Sequence, residues 1–251
     1  NGIIGIILIP AFLWVVPPAV QDFPNVSSDN YLEVEGTVTS WNYSDEDKNN
    51  TRAIGIMDNK TKILKNAVKL FSEKGYDAVG IQELVNANKI TKPTLYYHFG
   101  SKEGLLKEIY KSYFTTFNDG LKINTKYVAN PKSYFDDVFP VLMKIVEYYF
   151  IFSKQNKDFY RMSLSLQYMA PDSSAYKNSK GFTCIQYELI EKMFHEISIV
   201  HGNMKTHEKQ YAWTFIGMIN TYISLSYSQE LTLTSDLAEK AVKQFMHGIF
   251  S

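Results

Sequence analysis

A single cysteine in 251 residues, Cys184, excludes an intramolecular disulfide and any CxxC metal motif, as suits a reducing compartment. Net charge is lacking too. The 26 Lys and Arg balance 26 Asp and Glu, so no bulk field draws the whole chain to a polyanion. The local signatures of common chemistries are also missing: there is no Gly-x-Ser-x-Gly elbow, no phosphate-binding loop, and no Gly-x-Gly-x-x-Gly behind a strand. His195, His201 and His207 cluster in sequence near Glu191, Glu196 and Glu208. Their six-residue spacing places them on no single helical face and matches no His-Glu-x-x-His pattern. No metal and no cofactor is expected, and the chain reads as a binding protein rather than an enzyme.

The charge balance conceals an asymmetry. Residues 1–56 hold two basic against seven acidic groups, residues 57–123 hold eleven lysines against seven acids, and residues 124–251 hold 13 basic against 12 acidic groups. The basic surplus falls where a helix-turn-helix is legible. Ile81, Leu84 and Val85 share one face of a short helix. Asn88 to Ile90 form a turn in which Asn88 is suited to a left-handed backbone, Thr91 caps the next helix and Pro93 sits in its first turn. On that second helix Leu95 and Phe99, four apart, face inward. Thr91, Lys92, Thr94, Tyr96, Tyr97 and His98, with Lys102 just beyond, present donors and a flat aromatic pair outward. Such a helix can read a groove, with Lys102 at phosphates and Lys92 or Thr94 nearest base edges.

Thr91-Lys-Pro-Thr-Leu-Tyr-Tyr-His-Phe99 with Ser101-Lys-Glu-Gly-Leu-Leu106 resembles the recognition helix and fourth-helix start of the tetracycline-repressor (TetR) family of transcriptional regulators. Lys62 to Tyr76 resembles that family's first helix with its Gly-aromatic end. The chain departs from the pattern at Asn88, where Gly is common, and at Pro93, where a small residue often follows the Lys. The resemblance covers about Met57 to Ser251. It implies an all-α chain of nine helices: a helix-turn-helix head at 57–103 and a helical ligand-binding and dimerisation bundle at 104–251. The implied function is that of a cytoplasmic, ligand-responsive repressor. It would be a homodimer on double-stranded operator DNA, its half-sites spaced by one or more turns of ~34–36 Å.

The bundle is also legible as periodicity. Helices are expected at Lys102–Ile123, Tyr134–Phe152, Lys157–Met169, Ser179–Val200, Glu208–Ser228 and Ser235–Ile249, with Pro140 a break or kink in the second. Aromatic and Met side chains repack around varied shapes. Tyr149, Phe152, Phe159, Met162, Leu166, Tyr168, Phe182, Tyr187, Phe194, Trp213 and Met218 are therefore candidates to line a pocket for a small apolar or aromatic effector. Tyr211, Phe215, Ile219, Tyr222, Leu237, Val242, Phe245 and Ile249, on the last two helices, are candidates for the dimer interface.

Residues 1–56 are expected to lie outside the regulator. Gly2–Val20 is almost unbroken apolar sequence, interrupted by Pro10 and Pro17-Pro18 and flanked by no Lys or Arg. Tyr31–Trp41 alternates like one or two strands, and Ser44–Thr51 is a polar linker. Met57 resembles a natural start, which makes the preceding stretch an upstream fusion, a mis-called start or an unrelated fragment. The alternative is a membrane anchor tethering the regulator, since about 20 apolar residues span a bilayer.

Overall fold

The computed structural model of the chain describes residues 50–130 and 133–248. The expectations for Gly2–Val20, for the strand-like stretch and for Ile249 lie outside those residues. The described residues form nine α-helices: α1 Asn50–Lys74, α2 Ile81–Asn88, α3 Lys92–Phe99, α4 Lys102–Asn124, α5 Tyr134–Gln155, α6 Lys157–Gln167, α7 Ser174–Val200, α8 Glu208–Tyr227 and α9 Ser235–His247. α1 begins upstream of Met57, so the boundary drawn there falls inside a helix. Among the described residues no helix is long and apolar enough to cross a membrane.

Helix starts follow local chemistry. Thr91, Ser101, Ser133, Ser173 and Thr234 each accept a backbone N–H two or three residues into the helix they open, which satisfies a donor the helix itself cannot. Ser173 moves the start of α7 five residues ahead of the expected Ser179. Pro140 neither breaks α5 nor ends it. It stands exposed, so the carbonyl that loses its N–H partner is on the solvent side.

The turn between α2 and α3 differs from expectation in one residue. Asn88 closes α2 instead of taking the left-handed conformation: its amide donates to Leu84 O at 2.8 Å and accepts from Asn66 of α1 at 2.9 Å. The left-handed residue is Lys89, at φ 53° and ψ 42°, exposed to solvent. A non-glycine residue there costs roughly 1–2 kcal/mol, and glycine would give some of that back as chain entropy. Lys89→Gly is expected to stabilise the head by about 1 kcal/mol, read as a higher urea midpoint. A lower midpoint would mean that the Lys89 side chain has contacts worth more than the strain.

Two apolar zones are joined through α4. In the head, Ala67, Val68 and Phe71 of α1 meet Leu84 and Val85 of α2, Leu95 and Phe99 of α3, and Leu105 and Leu106 of α4, all buried. In the bundle, α4 lies along α7, α7 along α8, and α5 along α9. α6 packs against α1, so the head rests on the bundle through α6 as well as through the continuous α4.

Candidate nucleic-acid interface

α3 is an eight-residue helix held from below and open above. Leu95 is fully buried and Phe99 nearly so, while Tyr97 is 86% and Tyr96 45% exposed. Thr91 and Lys92 are exposed, and Thr94 and His98 are half-buried. The two threonines are partly committed. Thr91 Oγ1 accepts the Thr94 N–H at 3.3 Å and shares a hydrogen bond with Thr94 Oγ1 at 2.8 Å. Tyr96, Tyr97 and Lys92 therefore hold the uncommitted polar groups of this face, and Pro93 beside them adds only its ring.

α4 starts hard against the end of α3. Gly100, at φ 72°, reverses the chain and donates its N–H to Tyr96 O at 2.8 Å. Ser101 then caps α4 by accepting the Gly104 N–H at 3.0 Å. A Cβ on Gly104 would lie 1.9 Å from the Phe99 carbonyl oxygen, so this glycine is required by close approach. Sequence reasoning placed Gly104 at the helix start but gave it no such role; the Phe-Gly-Ser-x-x-Gly spacing, with the second glycine inside a helix, was the available signal.

Lys102 differs from its expected posture. Its ammonium donates to the Tyr76 carbonyl at 2.6 Å and sits 4.2 Å from the centroid of the Tyr76 ring. Burial lowers its pKa from the usual lysine value. Lys102 thus clamps the start of α4 to the α1–α2 connection before any phosphate is considered. Lys102→Ala is expected to lower the stability of the head by about 1.5–3 kcal/mol, the range for a hydrogen bond to a charged group. Measuring DNA affinity across salt concentrations gives the other half of its role: a slope smaller by about one unit adds a phosphate contact, and an unchanged slope leaves the clamp alone.

The bundle interior is filled where a pocket was expected. Tyr149, Phe159, Met162, Leu166 and Phe194 are buried, with Phe152, Phe182 and Tyr187 packed against them. Phe159 lies 4.2 Å from Tyr113 in a stacked pair and 4.9 Å from Phe114 edge-on. Tyr168 and Trp213 are exposed, at 83% and 55%, and do not belong to the interior. Tyr168 follows the last residue of α6, and Trp213 is on the outer face of α8. Two clefts lie among α5, α7, α8 and α9. One of about 310 Å³ has Phe194, Met204, Tyr211 and Phe245 in its walls, and a more open one of about 370 Å³ has Met218, Tyr222 and Phe245.

On α8 and α9 the expected interface residues divide. Phe215, Ile219 and Val242 are completely buried within the protomer and so serve its own core, Phe215 against Phe194 and Phe245 at 6.0 and 5.0 Å. Tyr211, Tyr222, Leu237 and Phe245 are half-buried. Trp213, Gly217 and Thr221 are exposed at helical spacing on α8, with Thr214, Met218 and Tyr222 beside them. Trp213, read from sequence as a pocket residue, belongs to this outer stripe, whereas Met218 borders the stripe and also lines the more open cleft.

Comparison with known proteins bears on the head and the fold separately. The profile of bacterial regulatory proteins of the tetR family matches residues 63–109, which is the head with the start of α4. Over 65 residues the chain is 40% identical to the biofilm operon icaADBC HTH-type negative transcriptional regulator IcaR of Staphylococcus aureus. That stretch is 26% of this chain and spans 35% of the length of IcaR. The whole helical fold is similar to that of the TetR-family regulator PfmR of Thermus thermophilus, with a TM-score of 0.59 and 22% identity over 76% of this chain and 96% of PfmR. It is likewise similar to the regulator FadR of Bacillus subtilis, solved with stearoyl-CoA, with a TM-score of 0.61 and 16% identity over 75% of this chain and 98% of FadR. The sequence match to the tetR family of bacterial regulatory proteins thus lies in the head, at residues 63–109, and the nine-helix arrangement of the described residues is similar in fold to regulators of that family.

Proposed function

We propose that the chain is a sequence-specific DNA-binding transcriptional repressor, acting in the cytoplasm as a homodimer whose DNA affinity is set by a small effector in the helical bundle. The observation that carries the reading is the face of α3: Lys92, Tyr96 and Tyr97 stand exposed on a helix whose Leu95 and Phe99 are sunk in the core. With His98, Thr91, Thr94 and Lys102 around them, these side chains supply hydroxyl, imidazole and ammonium donors to phosphates and base edges. The 40% identity over 65 residues to IcaR, a negative regulator, supports repression. The absence of an elbow, phosphate loop or metal motif in the sequence supports binding rather than catalysis.

A single eight-residue helix makes few base contacts, so two heads related by symmetry are needed to read a half-site pair. The exposed α8 stripe of Trp213, Gly217 and Thr221 supports a partner helix there, since small residues among larger ones let helices approach closely. For the effector, Phe159 is the structural link. It stacks on Tyr113 of α4, while its own helix α6 packs on α1 of the head. A molecule that prefers one setting of α4 and α6 shifts the spacing of the two heads by as much as its preference allows.

The test is retention of DNA from the region upstream of the chain's own gene by the purified protein, followed by footprinting. A protected pseudo-palindrome, lost on Tyr97→Ala with folding intact, is expected. Retention equal to that of unrelated DNA at physiological salt would overturn the reading.

A further inference from the structure

Between α4, α5 and α7 the bundle carries polar atoms that its own packing leaves without hydrogen bonds. They are Asn118 Oδ1 and Gln186 Nε2, on residues 8% and 4% exposed. Each amide has its other half committed. Asn118 Nδ2 donates to Phe182 O at 3.3 Å, and Gln186 Oε1 accepts the Tyr149 hydroxyl at 3.1 Å. Turning either amide over exchanges the free atom without removing it. The Tyr110 hydroxyl has the Ser163 and Ser179 hydroxyls beside it as partners, so the two amides are the groups left wanting. Buried polar groups are nearly always satisfied, and each exception calls for a cause.

The two amides and Tyr110 form one seam. Phe182 O is the helical acceptor for the Gln186 N–H one turn on, so the two amides are neighbours across α4 and α7. Tyr110 stands two turns before Asn118 on α4, about 12 Å along it. The half-buried ring of Phe182 lies against that of Tyr110, 5.8 Å between ring centroids. The seam has an unused acceptor in Asn118 and an unused donor in Gln186, flanked by aromatic rings.

It has no counter-ion. Among the described buried residues the one carboxylate is Asp137, and it is already engaged by Tyr127, Asn130 and His201. Burial pushes the Tyr110 hydroxyl up to about 12, so it remains a neutral group. A charged ligand group in this seam would be desolvated without compensation. A purely apolar one would leave both amide atoms as they are.

We propose that the bundle recognises an uncharged aromatic effector carrying an amide-like group, whose donor meets Asn118 Oδ1 and whose acceptor meets Gln186 Nε2, with its ring taking the place of the Phe182 ring. The proposal rests on the reading that the bundle binds an effector, and it names the effector's chemistry. Phe182 is half-buried, whereas the neighbouring rings of Phe114 and Phe117 are sealed in the core, so it is the ring of this group that reaches solvent.

Four probes on the full-length protein separate the cases: acetanilide, a neutral ring with donor and acceptor; phenylacetate, its charged counterpart; propylbenzene, its apolar counterpart; and stearoyl-CoA. Melting temperature and release of retained operator DNA are followed at increasing concentration. Acetanilide is expected to raise the melting temperature and release DNA at concentrations at least tenfold below those of phenylacetate and propylbenzene. Asn118→Leu and Gln186→Leu are each expected to weaken the acetanilide response at least tenfold while DNA retention without probe is unchanged. Asn118→Ser serves where the leucine variant does not fold. Response to stearoyl-CoA or propylbenzene with none to acetanilide would overturn this proposal and leave the effector reading standing. Silence from all four, together with a higher melting temperature in the leucine variants, would make the seam a structural feature and overturn both.

Discussion

Gly104→Ala is expected to lower operator affinity more than tenfold while leaving the bundle helices folded. The added methyl carbon would stand 1.9 Å from the Phe99 carbonyl oxygen and 3.1 Å from its carbonyl carbon, well inside contact distance. The obstacle is backbone, so no rotamer change relieves it. Either α4 loses its first turn or the end of α3 moves away. Overpacking of this kind costs about 1–3 kcal/mol, and here the strain is delivered to the helix that carries Tyr96 and Tyr97. Hydrogen bonds to base edges and phosphates tolerate only a few tenths of an ångström, so the shift is felt in binding first. Gly181→Ala is the control. A Cβ there meets nothing within 4 Å, and exchanging a helical glycine for alanine is expected to add about 1 kcal/mol of stability with no effect on DNA. DNA retention and thermal melting of the two variants decide it: unchanged affinity in Gly104→Ala would show that α3 is not positioned through this contact.

How much of this was legible beforehand varies with the kind of signal. The helices α4 to α9 were readable because apolar period and Ser or Thr caps agree, and five of their six starts fall on the expected residue. α7 was set late because the Ser173 cap lies in a polar stretch after Pro171, with no apolar period to mark the first turn. The head was readable because Leu95 and Phe99 on one side and Lys92 and Tyr97 on the other leave a single way to orient α3. Interior filling was not readable. Phe159 and Phe152 would look the same in sequence whether they lined a cavity or packed on Tyr113 and Phe117, because composition records which rings are present and not the space between them. Long-range polar pairs were hidden for the same reason. In sequence His201 is only one of three histidines that share no helical face, yet it is half-buried and meets Asp137 from 64 residues away.

That pairing carries the largest stability effect expected in the bundle. The Asp137 carboxylate is sealed from solvent. It accepts hydrogen bonds from the Tyr127 hydroxyl at 2.5 Å, the Asn130 N–H at 2.6 Å and His201 Nε2 at 2.6 Å. It therefore ties the connection after α4 to the first turn of α5 and to the end of α7. Burial pushes its pKa up, but the hydrogen bonds from Tyr127, His201 and Asn130 outweigh burial and hold it below the usual carboxylate range. A depressed folded-state pKa means stability that is present above the unfolded value of about 3.9 and lost as pH falls through the folded value. Asp137→Ala removes the acceptor and leaves three donors facing nothing, at a cost of about 3–5 kcal/mol near neutral pH. Asp137→Asn keeps one acceptor and is expected to lose less. Urea midpoints at pH 7 and pH 3 check the assignment: the gap between wild type and Asp137→Ala should narrow in acid, as the wild-type carboxyl takes up its proton. A gap of the same size at both pH values would mean that the charge of Asp137 contributes nothing and that the loss is one of packing alone.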